Sequence, residues 1–231
     1  MIKPLLPCCF LSVLIALWLP GCAREPDTID IGAFDREATA RQQAAEAAVK
    51  EATGLQEPKV VDALRRLLRE GDDVTRLLAL RALSERGYDA LPAAIDAVPL
   101  LEVSFAATSN EAQLFLTRFD DELSAVAPAL LTVLKEGKFS WSREKAAGLL
   151  GNCRSAIGEV LPAFATALAT EPDAGVRLRC VLSVAQLARS GAEPAACMKL
   201  LQQIGETDSD EEVRRNALGM LGGLKTATPI E

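Results

Sequence analysis

The chain has 231 residues, 49% of them hydrophobic and only 4% aromatic, a formal charge of −7 and no histidine. An acidic chain without a basic run lacks the electrostatic footprint of a nucleic-acid binder or a polybasic membrane-surface protein. Without histidine the commonest general base and neutral metal ligand are gone, and an apolar content rich in Ala and Leu, with no sustained alternation of Val, Ile, Thr or aromatics, predicts an all-α fold.

Residues 1–21 read as an export signal. Lys3 gives a positive start, and an apolar run follows from Leu5 to Leu19, too short for a membrane span. Leu19-Pro20-Gly21-Cys22 then resembles the lipobox of bacterial lipoproteins. The resemblance implies cleavage after Gly21 and a diacylglycerol on the Cys22 thiol, which becomes the mature N-terminus. Pro20 departs from the pattern, since Ala or Ser is usual there. An uncleaved anchor and an ordinary secreted protein are the other readings. Ala23, in place of Asp, implies sorting to the outer membrane, facing the periplasm. Residues 22–33 carry Pro, Gly and acids without helical periodicity and read as the lipidated Cys and a tether.

From residue 34 to 225 the chain is expected to be one repeat domain. Pro58, Pro92, Pro128, Pro162 and Pro194 recur every 32 to 36 residues. Three residues after each stand Val61, Ile95, Leu131, Ala165 and Cys197; six residues after stand Leu64, Val98, Leu134, Leu168 and Leu200. A three-residue step keeps both rows on one helix face, so both are expected in a core. A second block recurs at TRLLALRALS (75–84), SREKAAGLLG (142–151), VRLRCVLSVA (176–185) and VRRNALGMLG (213–222), aligning Arg76, Arg143, Arg177 and Arg214. A missing copy is expected near Ser109–Phe119. The predicted helices pair as 34–53 with 58–70, 73–86 with 90–98, 109–120 with 122–136, 141–153 with 157–170, and 174–190 with 193–204. A last helix at 210–223 closes the stack. Asp72, Thr108, Asp173 and Asp208 are expected N-caps, with capping boxes at Thr108–Glu111 and Asp208–Glu211. Gly54, Gly71, Gly87, Gly137, Gly191 and Gly205 are expected helix stops.

These blocks resemble HEAT repeats, especially the short subtype first recognised in phycobilin lyases. Asp208…Val213-Arg214…Ala217-Leu218…Leu221-Gly222 carries the resemblance best, followed by Asp173…Val176-Arg177 and Asp72…Arg76…Ala79-Leu80. A tetratricopeptide array has a similar period, but its aromatic and Gly signature is absent. The resemblance implies a right-handed α-solenoid of about five helix pairs with a C-terminal capping helix, in which each Arg ties its repeat to the neighbouring turn. It also implies an inner surface made by the second helix of each pair. Residues one past the predicted core row should line it: Asp62, Asp96, Thr132, Thr166 and Met198, with Arg66, Glu136 and Gln202 a turn further on.

Chemistry is harder to find. The carboxylate pairs Asp72-Asp73, Asp120-Asp121 and Asp208–Glu212 could serve calcium or acid–base work, but they fall at predicted helix starts, where acids cap and complement the dipole. Cys153, Cys180 and Cys197 lack zinc spacing. Cys180 and Cys197 either form a disulfide or remain buried free thiols. The stretch Pro99–Phe119, with Phe105, Phe115 and Phe119, is either a pocket or a degenerate repeat whose aromatics fill a gap. The sequence therefore predicts a non-enzymatic, monomeric protein-binding scaffold in the bacterial cell envelope. Its membrane contact would be the acyl lipid on Cys22, with no other cofactor, no metal and no nucleic acid. A periplasmic inhibitor or immunity lipoprotein, and a chromophore-lyase-like enzyme, are the alternatives.

Overall fold

The structure is a computed structural model and describes residues 31–227. Cys22 and the expected export signal lie outside the described residues. Helix periodicity in the sequence becomes eleven α-helices here, and the described residues contain no strand. They are α1 (Ile31–Thr53), α2 (Lys59–Glu70), α3 (Asp73–Ser84), α4 (Ala94–Ala97), α5 (Ala106–Thr117) and α6 (Ala127–Glu136), then α7 (Ser140–Leu150), α8 (Ile157–Thr170), α9 (Ala174–Arg189), α10 (Pro194–Thr207) and α11 (Glu211–Ala227). The odd-numbered helices pack on one another in succession, and the even-numbered ones form a second, more loosely packed layer against them. The result is an all-α solenoid of five helix pairs closed by α11. No pair can bury both of its apolar faces alone, which is why the pairs stack.

The core lies between the layers. The odd helices contribute small residues at the contact, such as Ala79, Ala112, Ala146, Cys180 and Ala217, all fully buried. Small side chains there let successive helices approach closely. Gly151 shows how closely: a Cβ on it would stand 2.9 Å from Cβ of Ser183 on α9. In the second layer the sixth-residue row is buried throughout, from Leu64 to Leu200. The third-residue row is not. Ile95 is 46% exposed and Ala165 is exposed, whereas the preceding residues Ala94, Leu130 and Phe164 are fully buried. The true row in the first four pairs begins one residue earlier, because a 100° step per residue turns the Pro+2 position further toward the first layer.

Caps follow the acids in part. Asp72 accepts from the Thr75 N–H and Asp173 from the Val176 N–H. Thr108 is not a cap: it lies inside α5, buried, and its hydroxyl donates to the Asp73 carbonyl. Asp208 ends α10, and Asp210 caps α11 instead by accepting from the Val213 N–H. Neither capping box forms; Glu111 faces Arg81. Gly71 and Gly137 end helices, and Gly87 and Gly191 take positive φ. Gly205 is not a stop: it is buried within α10 beneath Leu218 of α11. The predicted helix 90–98 is broken. Gly87–Ala93 and Val98–Glu102 are 3₁₀, with one α turn between. Pro92 and Pro99 each remove an N–H donor, so a longer ladder cannot form between them. Pro162 sits inside α8, and the carbonyl it leaves unbonded belongs to exposed Gly158.

Candidate functional site

The repeat arginines are the first candidates, and their geometry is that of joints. Each sits near the start of an odd helix and donates back to carbonyls that the preceding helix end leaves unbonded. Arg76 reaches the Leu68 carbonyl at 3.1 Å, Arg143 that of Gly137 at 3.0 Å, Arg177 that of Glu171 at 2.9 Å and Arg214 that of Asp208 at 2.7 Å. Two also reach forward to the next repeat. Arg143 holds Glu171 through two bonds of 2.7 Å, and Arg177 holds Asp208 at 2.9 and 3.0 Å. Such bidentate, charge-assisted pairs fix geometry as well as charge. The Arg143 hydrogen bonds hold the Glu171 carboxyl below its ordinary range despite burial. Burial pushes Asp208 up, but the Arg177 bonds and the Asp210 N–H outweigh it and its carboxyl is lowered. Other joints repeat at separations of 34 to 36 residues, from Thr108 on Asp73 to Ser183 on Ala147.

The third repeat departs from this pattern. Ser109 takes the position of the arginine, is fully buried, and its hydroxyl donates to the Leu101 carbonyl at 2.9 Å. The cation comes from the next repeat: Lys145 of α7 places its ammonium 2.7 Å from Ser109 Oγ and 2.8 Å from Asn110 Oδ1. Burial lowers the Lys145 pKa. The ammonium also lies 5.0 Å from the ring centroid of Trp141, which stacks on Phe139 at 5.0 Å. Elsewhere in the break Phe115 and Phe119 are buried edge to face, 5.1 Å apart, and Phe119 meets Tyr88. These aromatics fill the gap left by the short α4, while Phe105 stays 42% exposed. Sequence reasoning placed the missing copy correctly but overlooked Lys145 and Trp141. Their signal was two aromatics just before the Arg143 block, Phe139 and Trp141, and a lysine within it, Lys145.

Six of the eight residues of the expected surface row are exposed. Asp62, Arg66, Thr132, Glu136, Thr166 and Gln202 are exposed on the second layer. Asp96 is not free to meet a partner. Its side chain is only 10% exposed and is held by Arg65 at 2.6 Å and Arg69 at 3.0 Å, tying α2 to α4. Met198 is half-buried and packs on the core, because α10 is rotated so that Cys197 and Leu201 face inward. Between α6 and α8 this layer opens into a groove of about 600 Å³ lined by Leu131, Leu134, Ala163, Thr166 and Ala167, with the Arg143–Glu171 pair at one end.

Cys153, Cys180 and Cys197 are buried free thiols, and Cys180 and Cys197 form no disulfide. Burial pushes Cys153 and Cys180 up to about 12 and Cys197 to about 11. Neutral thiols are poor nucleophiles and poor metal ligands. Of the carboxylate pairs, Asp72, Asp121 and Asp208 are spent on caps and joints: Asp121, for example, accepts from the Ser155 N–H and both the Ser155 and Ser124 hydroxyls. Among the described residues no group of His, Cys, Asp or Glu has the arrangement to hold a metal, and no helix is long and apolar enough to cross a membrane.

No family model matches the chain, and no curated protein matches it. Among solved structures, the crystal structure of one engineered protein is 21% identical over 82% of this chain and 93% of its own, with a TM-score of 0.50. A second engineered protein is 19% identical over 87% and 93%, with a TM-score of 0.47. The likeness to the first is one of fold alone and agrees with the all-α solenoid.

Proposed function

We propose that this chain is a lipid-anchored envelope protein whose HEAT-type solenoid binds a partner protein and catalyses no reaction. The observation that carries the reading is the second helical layer. It offers an exposed row of mixed polar and charged side chains on α2, α6, α8 and α10, beside a largely apolar groove between α6 and α8. Solenoids use such extended faces for macromolecular partners. The anchor rests on the lipobox-like Leu19–Cys22 alone.

The test is affinity capture from crosslinked bacterial membranes with wild-type, Cys22→Ala and an Asp62→Lys/Glu136→Lys double variant, with mass spectrometry of bait and companions. Asp62 and Glu136 suit charge reversal because their side chains are 70% and 64% exposed. Asp96 does not suit it, since its reversal would unpair Arg65 and Arg69. A diacylated Cys22 and one reproducible partner, lost in the double variant while helicity is kept, are expected. An unlipidated wild-type chain overturns the anchor. A partner retained by the double variant overturns this surface, and no partner at all overturns the scaffold reading.

A further inference from the structure

Every described lysine except Lys145 is exposed. Its Nζ contacts no carboxylate, whereas the guanidinium groups of Arg143 and Arg177 end on Glu171 and Asp208. Two acids stand in the neighbourhood, and both have other partners. Glu144 pairs with Arg179 at 3.3 Å, and Glu102 accepts from the Lys138 N–H. The Glu144 charge favours the Lys145 ammonium from a distance, but burial outweighs it and the Lys145 pKa is lowered. Trp141, 5.0 Å from Nζ, lends the ammonium some cation–π attraction while keeping water from it.

Both hydrogen-bond partners of Nζ are acceptors. Ser109 gives its one hydroxyl proton to the Leu101 carbonyl, so toward Lys145 it only accepts, and Asn110 presents Oδ1. The two N–H groups of a neutral amine satisfy both, which leaves its lone pair without a partner. Lys145 lines a small cavity of about 240 Å³ at the edge where the α4–α5 and α6–α7 connections meet, with Ser104, Ala106, Ser109, Asn110 and Trp141. Lys145 is the one charged side chain in that lining. Small-molecule sites occupy roughly 300–1,000 Å³, so this cavity admits a molecule of a few carbons. With no second cation to hold an anion and Glu144 close by, the fit is to an uncharged molecule.

We propose that Lys145 is a covalent capture site for small neutral aldehydes, which enter this cavity and form an imine on Nζ. A desolvated lysine is the ordinary nucleophile for such chemistry. The Nζ lone pair forms the C–N bond, and the carbonyl π electrons move to oxygen. A proton passes from nitrogen to that oxygen, and loss of water then leaves the imine. One amine and one aldehyde give one imine and one water, so no oxidant, reductant or further reactant is needed. The protonated imine keeps a single N–H, so one of the bonds to Ser109 and Asn110 is given up while the aldehyde stays. Capture is stoichiometric and reversible. It goes beyond the scaffold reading and does not depend on it.

The test treats the full chain, in detergent micelles at neutral pH, with propanal and cyanoborohydride. The hydride reduces each imine to a stable propylamine, and mass spectrometry of the peptides reads the rate at every lysine. Lys145 is expected to be labelled at least about tenfold faster than the exposed Lys50, Lys135 and Lys225, a factor that one pKa unit of added free base supplies. Pyrene carboxaldehyde, too large for the cavity, should show no such preference. Ala106→Leu narrows the cavity from an exposed position, so it should remove the preference while helicity and labelling of the other three lysines are kept. Asn110→Asp sets a carboxylate against Nζ and should slow Lys145 labelling about tenfold. Lys145 labelled no faster than the exposed lysines, equal preference for the large aldehyde, or a preference untouched by Ala106→Leu or by Asn110→Asp would each overturn the proposal. No partner protein enters these measurements, so their failure leaves the scaffold reading standing, and membrane capture of a partner tests that reading separately.

Discussion

From α7 to α11 successive repeats are joined by buried bidentate ion pairs, whereas around α4 and α5 the same joint is made by a serine, a borrowed lysine and packed aromatics. Both arrangements satisfy the carbonyls at the end of the preceding helix. Arg177 does so with a long side chain and then neutralises itself on Asp208. Ser109 does so with a short one, which works because α5 packs directly against the 3₁₀ segment Val98–Glu102. What the joint requires is therefore a donor within reach of the exposed carbonyls, and the charge is an addition to it. The addition has a consequence for stability, since a paired ion is costly to break and a neutral hydroxyl is not.

The sharpest way to break that contrast is to remove one partner on each side. Arg177 and Asp208 side chains are 9% and 2% exposed. Arg177→Ala strands a buried carboxylate and should cost about 3–5 kcal/mol. Ser109→Ala loses the bond to the Leu101 carbonyl and the one Ser109 accepts from the Lys145 ammonium, but strands no buried charge, since Lys145 keeps Asn110, at about 1–2 kcal/mol. Urea unfolding of both variants measures the difference as a shift in midpoint. Equal shifts would mean that the carbonyl bond, present in both joints, accounts for the whole effect and the ion pair for none.

How much of this was legible beforehand depends on what set each feature. Helix positions were legible to within a few residues for most elements, because periodic Pro, Arg and Leu placed them independently. The break of 90–98 into short turns was written in Pro92 and Pro99, whose joint effect on the ladder outweighs the apolar pattern. Asp96 was misjudged for a different reason. Its partners Arg65 and Arg69 lie on the neighbouring helix 31 and 27 residues away, and no local pattern reports a cross-repeat pairing. The same holds for Lys145, whose partners are 35 and 36 residues back. Rows on one helix could be read from spacing, but what faces them across the stack could not.

The ion-paired half should also dominate the response to pH. Arg143 hydrogen bonds lower Glu171 from 4.5, and Arg177 with the Asp210 N–H lowers Asp208 from 3.8 against burial. In the unfolded chain these groups take up protons at those ordinary values, while the folded chain still resists. Stability from both pairs is thus complete above about pH 4.5 and is lost as pH falls through the lowered folded values. At the alkaline end the signs reverse. Thiols of Cys153 and Cys180 stay protonated to about 12 when buried but ionise near 9.0 when unfolded, so stability falls as pH rises between those values. Thermal midpoints across pH 2–12 should form a plateau with both shoulders. With Arg177→Ala only the Asp210 N–H and the Arg214 charge oppose the burial of Asp208, so the acid shoulder should shrink toward the part owed to Glu171 while the alkaline one stays; an unchanged acid shoulder would remove Asp208 from the account.

The smallest effect belongs to the break itself. The turn after α3 uses Gly87 at φ +58, and the corresponding turn after α5 uses Asp120 at φ +44. A left-handed backbone costs an L-residue roughly 1–2 kcal/mol relative to its ordinary conformations, and glycine avoids that cost. Asp120 has little to offset it, since the hydrogen bonds across to Ser155 come from Asp121. Asp120→Gly should therefore stabilise the chain, by about 0.5–1 kcal/mol once the added freedom of glycine in the unfolded chain is subtracted. The gain should appear as slower hydrogen exchange in Asp120–Val126 and α5 before it appears in the global midpoint, because a repeat exchanges strength mainly with its neighbours. A loss of stability would mean that Asp120 holds the turn through its side chain, and the break would then be as specifically built as the arginine joints that flank it.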